Sequence, residues 1–177
     1  SDVYKRQPFI DVRSPNEFNQ GSIPLSINIP ILNDNEREIV GKAFKSSGQE
    51  TAKKIGYELV SGKIKNDRVN EWKKFIEANP RSWLYCARGG LRSEIAQSWL
   101  KDIGLIIDRV DGGFKSIRNF CLDFFEHINE DNKDWIVLAG KTGSDKTGMI
   151  NKLNNSIDLE GLANHRGSAF GARSTKQ

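Results

Sequence analysis

A chain of 177 residues holds one ordinary domain, or one domain and part of a second. With 37% hydrophobic and 28% charged residues it reads as globular, and no stretch approaches the roughly 18 apolar residues of a membrane span. The net charge of +4 is compatible with a nucleic-acid partner without demanding one, and the cysteines, Cys86 and Cys121, lack the spacing of a disulfide framework or a zinc site. A reducing cytoplasm is the expected location. With only two histidines in the chain, no metal site is expected.

Residues 1–7 show no periodicity and lack an initiator methionine, which reads as a fragment edge or a non-native added segment; residues 1–20 hold no apolar core of a secretory signal. Pro8 to Val12 predicts a short strand ending at Asp11-Val12-Arg13. Ser14-Pro15-Asn16-Glu17 then reads as a helix start, with Ser14 as N-cap, Pro15 at the first helical position and Glu17 completing a capping box. Gly21-Ser22-Ile23-Pro24 breaks that element, and Ile27-Asn28-Ile29-Pro30 is a second extended piece.

Helical spacing runs from Asn33 to Gly62 in two stretches. Ile39, Val40, Ala43 and Phe44 share one face, and Ala52, Ile55, Leu59 and Val60 do so again after Ser46-Ser47-Gly48. A third helix is predicted from Asp67 to Ala78, with Val69, Trp72 and Ile76 inward. Ser82-Trp83-Leu84-Tyr85 is a strand leading to Cys86. After a glycine-rich turn, helical spacing begins at Ser93, with Ile95, Trp99, Leu100 and Ile103 inward and Gly104 at the C-terminal cap. Leu105 to Val110 predicts another strand and Gly112-Gly113-Phe114 a turn. Ile117, Phe120, Cys121, Phe124 and Ile128 form one stripe, which places Cys121 in the core. Helices alternating with short apolar strands predict an α/β fold: a parallel sheet flanked by helices over residues 8–130.

Asn129 to Asp134 reads as a polar linker. Trp135 to Ala139 predicts a strand, followed at once by Gly140-Lys141-Thr142-Gly143-Ser144-Asp145-Lys146-Thr147. Strand, glycine-rich loop, Lys-Thr and helix is the context that a phosphate-binding P-loop requires. Only 42 residues follow Trp135, so residues 134–177 are expected to be the start of a P-loop α/β domain and not a closed one.

The turn after the Cys86 strand carries the chemistry. A cysteine at a glycine-rich turn before a helix, flanked by Arg88 and Arg92, is set among backbone N–H groups and positive charge. Such surroundings lower a thiol pKa to roughly 3.5–7.5. From Cys86 to Arg92 the pattern is Cys, five residues, Arg, a spacing that lets Gly89, Gly90 and their neighbours wrap a tetrahedral oxyanion while Arg92 reaches back with its fork. Two chemistries use this cradle: sulfur or selenium transfer through Cys86, and phosphate-ester hydrolysis with Cys86 attacking phosphorus. The loop leaves both open.

Asp11 to Phe18, Gly21 to Pro24 and Asn28 to Pro30 resemble the opening signature of the rhodanese fold. Tyr85 to Ser93 is similar to its active-site loop, one residue longer than the commoner form, and Val110 to Lys115 to the strand and turn near its end. A rhodanese-like domain joined directly to a P-loop resembles the bacterial tRNA 2-selenouridine synthases, as does the stretch Asp158 to Gly171, which includes His165 and Arg166. The resemblance implies a cytoplasmic transferase acting on the wobble uridine of tRNA. It implies replacement of the sulfur of 2-thiouridine by selenium from selenophosphate, through an S-geranylated intermediate made with geranyl diphosphate. Cys86 would then serve selenium transfer with Arg88 and Arg92, and Gly140, Lys141, Thr142, Gly143, Ser144, Lys146 and Thr147 would handle the diphosphate. His165 and Arg166 would contact substrate. The partners implied are tRNA and an enzyme supplying selenophosphate, with no tightly bound cofactor. Arg88, Arg92, Arg109, Lys115 and Arg118 are candidate tRNA contacts, salt-sensitive as phosphate contacts are.

Two positions depart from the family pattern. Ala87 stands where the family usually has Trp, which changes the pocket wall. Asp145 replaces the second P-loop glycine, where a side chain obstructs close phosphate approach. A carboxylate about 4 Å from a phosphate oxygen repels it by roughly 1 kcal/mol in water and about 4 at an intermediate dielectric. Weakened diphosphate binding is expected. The competing readings are a single-domain thiosulfate sulfurtransferase, a phosphatase of the Cys-five-Arg kind and a non-catalytic rhodanese-like binding module. The truncated chain is expected to be inactive alone.

Overall fold

The computed structural model describes residues 8–127, 134–141 and 143–162. Four short parallel strands, β1 (Phe9–Asp11), β2 (Ser26–Asn28), β3 (Trp83–Tyr85) and β4 (Asp108–Arg109), lie in the order β2-β1-β3-β4. In register, Ile10 sits between Ile27 and Leu84, and Leu84 faces Arg109 on its other side. Helices α1 (Pro15–Asn19), α2 (Asp34–Leu59), α3 (Gly62–Ala78), α4 (Leu91–Asp102) and α5 (Gly113–Glu126) connect and follow the strands.

Alternation along the strands divides the interior in two, because successive side chains of a strand point to opposite faces. Ile10, Val12 and Leu84 join Trp72, Ala96, Trp99 and Leu100 in the larger core. Tyr85 faces the other way, onto Ile23, Val110, Phe114 and Ile117. Trp72 is fully buried, stacks on Trp99 with ring centroids 6.2 Å apart and donates its indole N–H to the Ile29 carbonyl at 2.9 Å. Helix α2 is a single run of 26 residues broken at Gly48, whose φ of 82° and ψ of −176° bend it into two arms. Asn33 caps its start reciprocally with Glu36, and Glu36 is held in turn by a two-oxygen bond from Arg68.

The structure departs from the sequence reading in several places. Helix α3 begins at Gly62, five residues before the predicted Asp67, and α4 begins at Leu91, two before Ser93. Only Asp108–Arg109 of the predicted strand from Leu105 pairs with β3; Ile106 is 90% exposed in the approach to it. Ile103 closes α4 at its C-cap, half out of the core. The largest correction is in α5. Cys121 is exposed, and so are Phe120, Phe124 and Phe125, because no described element packs on that helix beyond Ile117. The amphipathic spacing is real, but spacing alone does not supply a surface to bury it against. Ile128 lies outside the described residues.

The chain divides into two compact units, Ser1–Glu126 and His127–Gln177. In the second, residues 134–140 form no strand, contrary to expectation. A strand needs a hydrogen-bonded neighbour, and the described residues provide none. Helices α6 (Lys146–Ile150) and α7 (Leu159–Leu162) are one turn or so each, and none of the described residues from 134 to 162 is buried.

Candidate active site around Cys86

Strand β3 ends one residue before Cys86, and α4 begins five residues after it, so the connection between them lies at the carboxyl end of the sheet. The loop is locked from behind. Phe114 and Lys115 at the start of α5 donate their backbone N–H groups to the carbonyls of Cys86 and Ala87 at 2.9 and 3.0 Å. Gly113 permits this approach: its φ is 61°, and a Cβ there would collide with the Cys86 carbonyl.

Beneath the loop lies a buried pillar made by Asp11-Val12-Arg13. Arg13 grips the Asp11 carboxylate at 2.6–3.0 Å and donates to the Gly21 carbonyl at 2.7 Å. Its guanidinium lies 4.2 Å from the centre of the Phe114 ring and 5.6 Å from that of Tyr85. One side chain thus ties β1, the turn at Gly21, the residue before Cys86 and the start of α5. Burial with Asp11 alongside leaves Tyr85 pushed up to about 12, so its hydroxyl stays protonated; it donates to Ser26 and accepts from the Ile23 N–H.

Cys86 is 3% exposed, with its sulfur 3.3 Å from the Ser93 hydroxyl and 3.8 Å from the Gly90 carbonyl. Burial pushes the thiol up. Hydrogen bonds from the Ser93 side chain and from the Arg88 and Ser93 backbone N–H groups, with the field of Arg92, more than offset it and hold the thiol below its ordinary value. These surroundings favour the thiolate more than those of an ordinary cysteine do.

The two loop arginines are disposed differently. Arg88 is exposed. Arg92 turns its fork onto Glu17 of α1, with bonds of 2.5 and 3.0 Å to the two carboxylate oxygens. Glu17 also accepts the Ser14 N–H at 3.1 Å and lies 3.8 Å from Arg37. Burial raises the Glu17 carboxyl, but Arg92, the Ser14 N–H and Arg37 together hold it below its usual range. The glutamate that sequence marks as a helix cap therefore also sets the position of Arg92. Arg109 joins the site too, donating to the Gly89 carbonyl at 3.2 Å and lying 3.5 Å from the Ser93 hydroxyl. Lys115 and Arg118 are exposed on α5. Ser93 and Glu17 were missed as site residues. The four-residue step from Gly89 to Ser93, one turn into a helix that starts at the loop, was the available signal for Ser93.

Within the second unit, the Lys146 ammonium folds back onto the carbonyls of Gly140 and Lys141 at 2.8 and 3.0 Å, and Ser144 caps the turn by donating to Lys141. Asp145 adopts the left-handed conformation, φ 56° and ψ 32°, that glycine enters freely, and its carboxylate lies against Gly148. Gly143 has φ 85°, and Thr147 lies in the first turn of α6. Thr142, His165 and Arg166 lie outside the described residues. Among the described residues no group of His, Cys, Asp and Glu would hold a metal ion, and no helix is long and apolar enough to cross a membrane.

The rhodanese-like domain model matches residues 2–120, two thirds of the chain and all of the site around Cys86. The chain belongs to the rhodanese-like domain family. Residues 133–177 match a second model, the tRNA 2-selenouridine synthase AAA domain. The chain is 50% identical over 171 residues to a tRNA 2-selenouridine synthase of Pseudomonas syringae pv. syringae, covering 96% of this chain and 46% of that one. It is 49% identical over 175 residues to that of Sulfurovum sp., covering 99% and 48%. It therefore spans about half the length of these relatives. Among solved structures, the N-terminal domain of a Clostridium difficile 630 protein named for ATP/GTP binding superposes with a TM-score of 0.61 at 33% identity, over 66% of this chain and 90% of that one. The rhodanese-like domain thus holds Cys86, and the family-specific similarity continues through the linker into the P-loop segment.

Proposed function

We propose that this chain is the selenium-transfer domain and the opening of the P-loop domain of a cytoplasmic tRNA 2-selenouridine synthase, with tRNA as substrate. In this reading two anionic reagents are handled in two places. Geranyl diphosphate alkylates the sulfur of 2-thiouridine and diphosphate leaves, the P-loop from Gly140 to Thr147 serving this step; His165 and Arg166 contact substrate. Selenium from selenophosphate then replaces the S-geranyl group. Geranyl thiol departs, and one water is consumed as phosphate is released, so no oxidant or reductant is required. An upstream reaction must supply selenophosphate.

The observation that carries the reading is the Cys86 thiol, held below its ordinary value in a loop whose Gly89, Gly90, Arg88 and Arg92 suit a tetrahedral anion. It sits in one chain with a segment similar to the selenouridine synthase AAA domain. In this reading Arg88, which is exposed, reaches a phosphate oxygen, and Arg92 joins it on release from, or in shared contact with, Glu17.

The test is Cys86→Ala in the complete protein. Selenouridine formation should be lost while S-geranylation of thiouridine persists, both read by mass spectrometry of digested tRNA. Loss of both steps together would overturn the assignment to separate sites. Turnover of thiosulfate and cyanide without any tRNA product would point instead to a plain sulfurtransferase, and phosphate release from an aryl phosphate to the phosphatase reading.

A further inference from the structure

The bend of α2 at Gly48 creates a feature that the Cys86 chemistry does not use. Between the two arms of α2 and the outer face of α4 lies a cleft of about 360 Å³. Its apolar walls include Leu32, Val40, Phe44, Tyr57, Ile95 and Trp99. At one end stands Arg92, next in sequence to the serine that touches Cys86, with Arg37 lining the cleft as well. Cleft and thiol are therefore served by neighbouring residues of one helix.

The cleft is shaped for an occupant. Phe44 and Tyr57 are 56% and 42% exposed on its walls, so water now meets rings that an apolar guest would cover. Gly56 lies in the second arm of α2, where a glycine weakens a helix, and its φ is not left-handed. A Cβ there would meet only Val40, at an ordinary 3.8 Å. Neither backbone conformation nor packing among the described residues demands glycine at that position, and a hydrogen there leaves the cleft wider than any side chain would.

Charge and size narrow the guest. No acidic residue lines the cleft, whereas Arg37, Lys45, Lys53 and Arg92 do. Arg37 and Arg92 share the carboxylate of Glu17 just outside it, which leaves an excess of positive charge at that end. The volume is about a dozen times the roughly 30 Å³ that one water occupies in the liquid. That is room for a chain of about ten carbons, and the mostly apolar walls suit a hydrocarbon better than a polar guest of similar size.

We propose that this cleft binds the apolar chain of an anionic substrate, a hydrocarbon tail of about ten carbons whose charged carrier lies toward Arg37 and Arg92 beside the Cys86 loop. The inference deepens the function proposed above and rests on it for the identity of the carrier, the S-geranylated thiouridine of tRNA. The tail would be seated on the rhodanese-like domain during selenium transfer, and the leaving geranyl thiol would be released from there.

The test uses decyl phosphate, below its aggregation concentration, as a probe of the chain of residues 1–177, with ethyl phosphate as the control that keeps the anion and shortens the tail. Backbone amide NMR shifts locate the site. The expected result is saturable binding of decyl phosphate with shifts at Gly41, Gly56, Leu91 and Ile95, at least tenfold tighter than ethyl phosphate. Val40→Phe, which fills the cleft, and Phe44→Asp, at an exposed position that tolerates charge, should each weaken it at least tenfold. Equal binding of both phosphates, undiminished binding in folded Phe44→Asp, or shifts confined to the exposed phenylalanines of α5 would overturn the proposal. In the complete enzyme, Val40→Phe should slow loss of the S-geranyl group while the Cys86 thiol keeps its alkylation rate. Normal selenouridine yield in that variant defeats the cleft and leaves the function standing. Binding in the cleft by a complete enzyme that makes no selenouridine does the reverse.

Discussion

Replacing Ser93 with alanine tests how the Cys86 thiol is activated. The Ser93 hydroxyl carries one proton but has two neighbours, the Gly90 carbonyl at 2.9 Å and the Cys86 sulfur at 3.3 Å. While the thiol is protonated, the hydroxyl donates to Gly90 and accepts from sulfur. On ionisation it swings to donate to the thiolate. The Gly90 carbonyl is not stranded, since it still accepts the N–H groups of Ser93 and Glu94 at 3.0 and 3.2 Å. A hydrogen bond to a charged group is worth about 1.5–3 kcal/mol, and the neutral one relinquished about 0.5–1.5, a net preference for thiolate of about 1–1.5 kcal/mol. At 1.36 kcal/mol per unit, Ser93→Ala should raise the Cys86 thiol by about one pKa unit. The assay is the pH profile of iodoacetamide alkylation. It must be run in a Cys121→Ser background, because Cys121 is exposed and would react first. Ser98→Ala, at an exposed position of the same helix, should leave the midpoint alone. If Ser93→Ala shifts the midpoint by less than about 0.3 units, or downward, the hydroxyl is not what stabilises the thiolate.

Asp145→Gly should bind geranyl diphosphate more tightly in the complete protein, read by calorimetry; no gain would show that Asp145 neither repels nor obstructs the anion. Gly113→Ala should destabilise the rhodanese-like domain by more than about 2 kcal/mol in urea denaturation, because the new methyl meets the Cys86 carbonyl at a left-handed residue. Glu17 is depressed in the folded protein, so its contribution to stability is present above the unfolded carboxylate range near pH 4.3 and is lost as pH falls through the lower folded value. Glu17→Gln should therefore lower the melting temperature at pH 7 by the equivalent of about 1 kcal/mol or less, the difference vanishing in acid; a gap that widened below pH 4 would contradict the sign.

Local patterns in this chain carried most of the first domain. The short apolar runs at Phe9-Ile10 and Trp83-Leu84-Tyr85 mark strands of a sheet covered on both faces, and the break at Gly48 follows from a backbone angle that glycine alone enters readily. The loop from Cys86 to Arg92 was legible as an anion cradle because its residue types and spacing state the chemistry directly. Its partners were not. Glu17 reads locally as a helix cap, and only the fold brings it onto Arg92, 75 residues away in the chain. Arg109 likewise reads as one more basic residue until β4 places it beside β3 and its guanidinium against Gly89.

The errors share a physical origin. Amphipathic spacing in α5 and an apolar run at 135–139 each announce a face that favours burial, but burial needs a second surface, and strand pairing needs a second strand. Sequence by itself determined most elements of the first unit, the reactive loop and the glycine-rich segment, all set by interactions spanning a few residues. Tertiary structure alone decided which arginine is held and by what, how Arg13 props the loop through Asp11, Gly21 and Phe114, and that a bent helix opens a cleft reaching Arg92. Those outcomes depend on contacts between residues far apart in the chain, for which no local pattern carries a signal.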